Sequence, residues 1–432
     1  MKTLTILFVA AIMMGVGCSK SEDSGNNPDK PDKPSPLPDL PDPDDVCSCM
    51  DDIIFMQYCY DNFDVNKDGK VSVIEANAAR KIDINSECAS VKGIERFPNI
   101  EILSLNGSSI TELDLRYNLK LKSLSCQDRQ LTTVLLPNTL TAIAFSGCSS
   151  LTEINLPANL TSIGESAFYD CSSLTEIHLP ASLTSIGESA FSGCSSLTEI
   201  HLPANLTSIG ESAFYDCSSL TEIHLPASLT SIGESAFSGC SSLTEIHLPA
   251  NLTSIRKGVF SGCSSLTEIH LPASLTSIGG AAFRGCSSLT EIHLPASLTS
   301  IGAAFGGCSG LTEIHLPDNL TSIENATFNF CSSLTEIHLP ASLTSIGDRA
   351  FWSCSSLTEI HLPASLTWIG GYAFDQCTSL TKVTCHALVP PTSYYYYICD
   401  STIENLYVPA ESIQAYKDSD WAYYFENILP IE

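Results

Sequence analysis

Between residues 137 and 385 the apolar positions recur in one frame. In the unit that opens at Cys171, the side chains able to line an interior are Leu174, Ile177, Leu179, Leu183, Ile186, Ala190, Phe191 and Cys194. Within it "LTEIHLP" alternates, Ile177 and Leu179 against Glu176 and His178, which predicts a short strand with one buried face. Pro180 ends that strand, because proline has no N–H to give to a ladder. "LTSI" predicts a second short extended segment, and "ESAF" a helical turn. Cysteines mark the frame at 148, 171, 194, 217, 240, 263, 286, 308, 331, 354 and 377, every step being 23 residues except 286 to 308, which is 22. The missing residue falls between Gly302 and Cys308, in the turn, where its loss leaves the strand register untouched. A fixed period in this range predicts a solenoid, in which each unit touches only its neighbours and the core forms by stacking. Residues 157–202 and 203–248 are identical over 46 positions, so the array grew in part by copying a two-unit block.

Upstream the period shortens. Over 98–136, Ile102, Leu103 and Leu105 are followed by Leu113 and Leu115, Leu121 and Leu124, then Leu131, Val134 and Leu136, a run of short leucine-rich repeats leading into the main array. Over 47–97, "DDIIFMQYCYDNF" places Ile54 with Tyr58, and Phe55 with Cys59 and Phe63, at helical spacing. The "DVNKDGKVSVIEA" that follows resembles an EF-hand loop. Asp64, Asn66 and Asp68 stand at positions 1, 3 and 5, Gly69 at the sharp turn, Lys70 where a carbonyl is offered, Ser72 at position 9 and Glu75 at position 12. Calcium is a hard cation that takes six to eight oxygens, so alternating Asp and Asn wrap it and Glu75 closes the shell with two. The expected ion is calcium; an EF-like turn without one is the alternative. A single copy argues against a calcium sensor built on paired hands.

Lys2, the apolar run from Leu4 to Met14 and the small residues before Cys18 read as an export signal over 1–17, too short to span a bilayer. "MGVGCSK" resembles a bacterial lipobox, which implies a lipid anchor on Cys18 and an outer-membrane or cell-surface location; secretion with a cleaved signal is the alternative. Residues 18–46, rich in Pro, Asp, Ser and Lys, hold too few apolar side chains to order themselves and read as a disordered tether. The chain's 44% hydrophobic content still supplies a large core. A net charge of −28 would repel a phosphate backbone, which excludes nucleic acid as a partner.

The pattern C-x-x-L-x-x-I-x-L-P-x-x-L-x-x-I-x-x-x-A-F resembles the leucine-rich repeat of BspA-like and treponemal surface proteins, and 386–432 is similar to the C-terminal cap of such chains. The resemblance implies a leucine-rich repeat solenoid on a bacterial surface that binds extracellular protein, matrix or glycan ligands, with no catalytic residues to carry over. At the position of Gly187 two units carry Arg256 and Glu324, so that position needs no positive φ.

Units about 4.8 Å apart would bring successive cysteines within bridging reach. Eleven like-oriented thiols cannot all pair, however, and free Cys packs as a small apolar group, so the array cysteines read as a buried spine. Cys47, Cys49, Cys59, Cys88, Cys126, Cys385 and Cys399 are irregular, and any disulfide among the first four has no derivable connectivity.

Strand alternation sends the charged residues to the outer face. Glu176, Glu199, Glu222, Glu245, Glu268, Glu291, Glu313, Glu336 and Glu359 form one row, and His178, His201, His224, His247, His270, His293, His315, His338 and His361 the next. A row of like charges is unfavourable by itself. The two rows are the expected ligand-binding face of an adhesin-like scaffold; a metal-responsive or purely structural envelope protein, using the ladder or the calcium loop, is the alternative. Catalysis needs a unique constellation, and no repeat differs from its neighbours in that way, so an enzyme is not expected.

Overall fold

The protein is described here as a computed structural model, over residues 36–393 and 397–431. The export signal, Cys18, most of the tether and Tyr394 to Tyr396 lie outside the described residues. In most units of the array the Glu-Ile-His triplet forms the first strand, as at Glu222–His224, Glu245–His247 and Glu268–His270. From Glu199 to His270 each pairs in parallel with the same segment one unit on: Glu222 faces Glu245 and Glu245 faces Glu268, while His224, His247 and His270 stand opposite one another. Because side chains alternate along a strand, this register stacks isoleucine on isoleucine inside and glutamate on glutamate outside. Ser185–Ile186, Ser208–Ile209 and Ser231–Ile232 form the second strand and pair in the same way.

The third side differs from the expected helical turn. Each unit there runs through tight turns with two left-handed residues, such as Ser189 (φ 51°) with Gly193 (φ 76°) and Ser212 (φ 51°) with Asp216 (φ 54°). A non-glycine residue pays roughly 1 kcal/mol for that conformation. In return the N–H groups turn toward the next unit: Ser189 N donates to Glu211 O, Phe191 N to Ala213 O and Gly193 N to Tyr215 O, each at 2.8 Å. A helix would have used those donors inside its own unit; the turns make a third ladder between units.

Inside, Phe168, Phe191, Phe214 and Phe237 are fully buried and stack with centroids 5.3 to 5.4 Å apart and planes within 8° of parallel. Beside them runs the cysteine spine. Cys194 Sγ donates to Phe168 O at 3.2 Å, Cys217 Sγ to Phe191 O at 3.1 Å and Cys240 Sγ to Phe214 O at 3.2 Å. All described cysteines are free. Burial pushes the Cys194 and Cys263 thiols up to about 12 and holds those of Cys217 and Cys240 well above their ordinary value, so these groups stay neutral and act as apolar packing with one weak donor.

The glycine after the second strand is required by close approach. Gly187 has no positive φ, but a Cβ there would lie 2.8 Å from Glu165 N, because the strands draw the two backbones together. Gly187 N donates to Ile163 O at 2.9 Å, and Gly210 N to Ile186 O at 2.8 Å. Where Arg256 and Glu324 replace this glycine, the second-strand pairing stops: the run through Ser231–Ile232 ends, pairing resumes at Ser254–Ile255, and a new run starts at Ser322–Ile323. The second-strand ladder therefore carries two seams.

Both ends are closed. Helix α1 (Ile53–Phe63) is capped by Asp52, whose carboxylate accepts from Ile54 N and Phe55 N, and α2 (Val73–Ala78) follows. Lys81–Ile84 then pairs with Ile102–Asn106 and so opens the sheet. The compact unit reaches back to Asp39. Within the stretch expected to be tether, Asp45 is buried and accepts from Cys47 N, Val71 N and Tyr60 Oη, which ties it to the folded part. At the other end Lys382–Cys385, Ile403–Val408 and Phe425–Pro430 continue the parallel sheet, and Tyr416 and Trp421 pack edge to face beneath it.

If close approach is the reason for the glycine, Gly210→Ala should destabilise the array by about 1–3 kcal/mol, the usual range for overpacking. It should also raise amide exchange at Ser208 and Ile209, a third seam beside the two already present. Urea unfolding with hydrogen exchange reads both; an unchanged midpoint would refute the packing argument.

Candidate functional site

The Glu and His rows stand where alternation places them, and every member from Glu176 to His361 is exposed. In seven of the nine units the glutamate lies within 4.0 Å of the histidine of its own unit. His178 Nε2 lies 3.3 Å from Glu176 Oε1, His247 Nδ1 3.2 Å from Glu245 Oε1, and His270 Nε2 3.2 Å from Glu268 Oε1. The shortest is His315 Nε2 to Glu313 Oε1, at 2.6 Å. Across units, the rings of His247 and His270 stand 5.3 Å apart and those of His315 and His338 4.9 Å apart.

Nothing cationic opposes the glutamates along the middle of the rows: each faces another glutamate, as Glu199, Glu222, Glu245 and Glu268 do in succession. The C-terminal end differs. There Lys382 takes the glutamate position opposite Glu359, its Nζ lies 2.9 Å from Glu359 Oε2, and that contact holds the Glu359 carboxyl below its ordinary value. At the other end Asn155 stands opposite His178. The imidazole row is thus stopped by Asn155 at one end, where the carboxylate row runs on to Glu153 opposite Glu176, and the carboxylate row is stopped by Lys382 at the other.

The EF-like loop lies between α1 and α2. Gly69 turns at φ 82° and Lys67 at φ 60°. Asp64 Oδ2 accepts from Gly69 N at 2.9 Å, Asn66 Oδ1 from Asp68 N at 2.9 Å and Asp68 Oδ1 from Lys70 N at 2.9 Å. Glu75 reaches back over the loop: Oε1 accepts from Val65 N at 3.0 Å and Oε2 from Ser72 N at 2.9 Å and Ser72 Oγ at 2.8 Å. These bonds, Ser72's foremost, hold the Glu75 carboxyl below its ordinary value. Lys70 Nζ is drawn away to Asp42 Oδ2 at 2.9 Å, leaving the loop side to the oxygens. Asp64, Asn66, Asp68, Ser72 and Glu75 are thus brought to one loop, with their oxygens occupied by its own N–H groups.

One cluster on the turn side escaped the repeat pattern. Phe330 and Trp352 meet edge to face at 4.7 Å, the Arg349 guanidinium lies 5.9 Å from the Trp352 ring centre and 5.8 Å from that of Tyr372, and Tyr372 stacks on Tyr397 at 6.3 Å. Its signal was available in the sequence: Arg349 and Tyr372 stand where other units have Ser, Gly or Ala, and Phe330 where they have Asp, Gly, Ser or Gln, so they are departures from a frame whose regular members drew attention first.

Among known proteins, the family model described as BspA type leucine rich repeat region (6 copies) matches residues 119–224, 207–305 and 302–419. A leucine-rich repeat protein of Bacteroides ovatus ATCC 8483 is 31% identical, with 72% of this chain and 88% of that one covered and a TM-score of 0.57. A leucine rich cell surface protein of Faecalibacterium prausnitzii A2-165 is 24% identical over 71% of this chain and 83% of that one, with a TM-score of 0.40. No curated protein matches. Among the described residues no helix is long and apolar enough to cross a membrane.

Proposed function

We propose, the chain belonging to the BspA-type leucine-rich repeat family, that it is a surface-displayed scaffold whose Glu/His strand face binds an extended, positively charged segment of an extracellular or matrix protein. The observation that carries this reading is the register of the glutamates. Like charges directly opposite across a ladder are destabilising, and here they are stacked unit after unit without a cation. A basic ligand laid along the row removes that repulsion, and the fit improves with each unit covered, so affinity grows through multivalency. Surface charge of one sign also steers a partner of the other and makes association salt-dependent.

Two further features belong to the same reading. Cys18 carries a lipid anchor that holds the scaffold at the outer surface, supported by the lipobox-like "GVGC" and the tether behind it. Calcium is bound by Asp64, Asn66, Asp68, the Lys70 carbonyl, Ser72 and Glu75, supported by the order of oxygen donors and by the turn at Gly69. When bound it would brace α1 against α2, next to the strand that opens the sheet.

The binding face is tested by a charge-matched pair of triple variants. Glu222→Gln, Glu245→Gln and Glu268→Gln remove three carboxylates from the strand face, whereas Glu188→Gln, Glu211→Gln and Glu234→Gln remove three from the turn side. With a polylysine peptide and a panel of matrix proteins as probes, the first set should weaken binding at least tenfold at low salt and the second by less than twofold. Equal effects would contradict the reading.

Glu75→Ala should abolish the thermal stabilisation of the 47–97 region by calcium. In the unsubstituted protein that effect is worth RT ln(1 + [L]/Kd), about 2.7 kcal/mol at a hundredfold excess over Kd. A melt indifferent to calcium and chelator would rule the ion out.

Cys18→Ala should move the protein from the detergent-soluble membrane fraction to the aqueous one; unchanged partitioning would exclude the anchor.

A further inference from the structure

One junction of the ladder is set apart by its geometry. Among the described residues, Glu313, His315 and His338 are the group of three His, Cys, Asp or Glu side chains whose ligand atoms all lie within 4.8 Å of one another. We propose that these three residues form a zinc site on the strand face.

The backbone sets the arrangement. Glu313–His315 and Glu336–His338 pair in full three-residue register, so Glu313 and His315 project from one face of one strand while His338 projects beside His315 from the next. The imidazoles are 4.9 Å apart at an interplanar angle of 31°, and Glu313 Oε1 is already 2.6 Å from His315 Nε2. Two nitrogens and a carboxylate oxygen are a common three-ligand set for zinc, with bonds of about 2.0–2.2 Å that put bound atoms on one ion roughly 3.3 Å apart. Small rotations about the side-chain torsions of three exposed residues bring the atoms from the observed separations to that distance. The fourth position is left to water or to a side chain from a partner. Glu336 Oε1, 3.2 Å from His338 Nε2, is placed either to orient that ring from behind or to enter the shell itself.

Charge favours the ion as well. Zinc would sit between Glu313 and Glu336, which face each other in the ladder with no cation between them. At the comparable junction of His247 and His270 the rings stand 5.3 Å apart, each at 3.2 Å from the glutamate of its own unit, and no three ligand atoms converge. The same residue types are thus divided into private pairs at one junction and gathered at another. The site shares the strand face with the proposed ligand but does not rest on that reading, since zinc is tested here without any protein partner.

The test is calorimetric titration of the full chain with zinc chloride, in excess calcium so that the EF-like loop does not compete. The unsubstituted protein should show a tightest class of one ion per chain. His315→Ala with His338→Ala should weaken that class at least tenfold, and Glu313→Gln alone severalfold. His224→Ala with His247→Ala removes as many imidazoles and should leave it intact, and circular dichroism checks that each variant is folded. Equal losses in the two double variants would overturn the proposal in favour of diffuse binding along the row, and absence of binding at micromolar zinc would overturn it outright. A failure of zinc binding would leave the polylysine comparison untouched, so the two readings fail separately.

Discussion

No unit of this chain can bury its own apolar side chains. Twenty-odd residues wound once around three short sides leave Leu, Ile, Phe and Cys open above and below, and only the next turn covers them. The constraint on which everything depends is therefore the register between turns. One residue of slip would send Ile223 outward and Glu222 or His224 inward. Three ladders hold that register: the Glu-Ile-His strands, the Ser-Ile strands, and the left-handed turns whose N–H groups bond to the following unit.

Stacking like upon like suits the interior and strains the exterior. Phenylalanine rings offset on one another, and thiols that each donate to a backbone carbonyl, lose nothing by repetition. Glutamates do. The tension left by the register is electrostatic and lies on the outer strand face, where glutamate stands opposite glutamate. The chain relieves it from within at Glu359, where Lys382 ends the row.

Much of this was legible in the sequence because a period exposes it. The cysteine frame, the alternation of Ile177 with Glu176 and His178, and the tolerance of the 22-residue step follow from counting. What escaped has physical causes. The third side looked helical because Glu and Ala favour helices, but the gain from bonding the next unit outweighs the cost of two left-handed residues. The glycine at 187 was read through φ, whereas its role is to let two backbones approach, and the seams at Arg256 and Glu324 follow only once that contact is seen. Which Glu/His junction gathers its ligand atoms depends on side-chain torsions, and identical triplets give no sequence signal for it. The Phe330, Trp352 and Tyr372 cluster was hidden because regular members of a repeat are easier to see than departures from it.

Register as the governing constraint is tested most directly by comparing thermal unfolding of two deletions. Removing residues 203–248 takes out a complete two-unit block, and removing Ile223 alone takes out one residue. The account predicts that the block deletion unfolds cooperatively with a midpoint close to that of the full chain, while loss of Ile223 lowers the midpoint sharply despite removing far less. A block deletion that collapses the array, or an Ile223 deletion as stable as the block deletion, would contradict it.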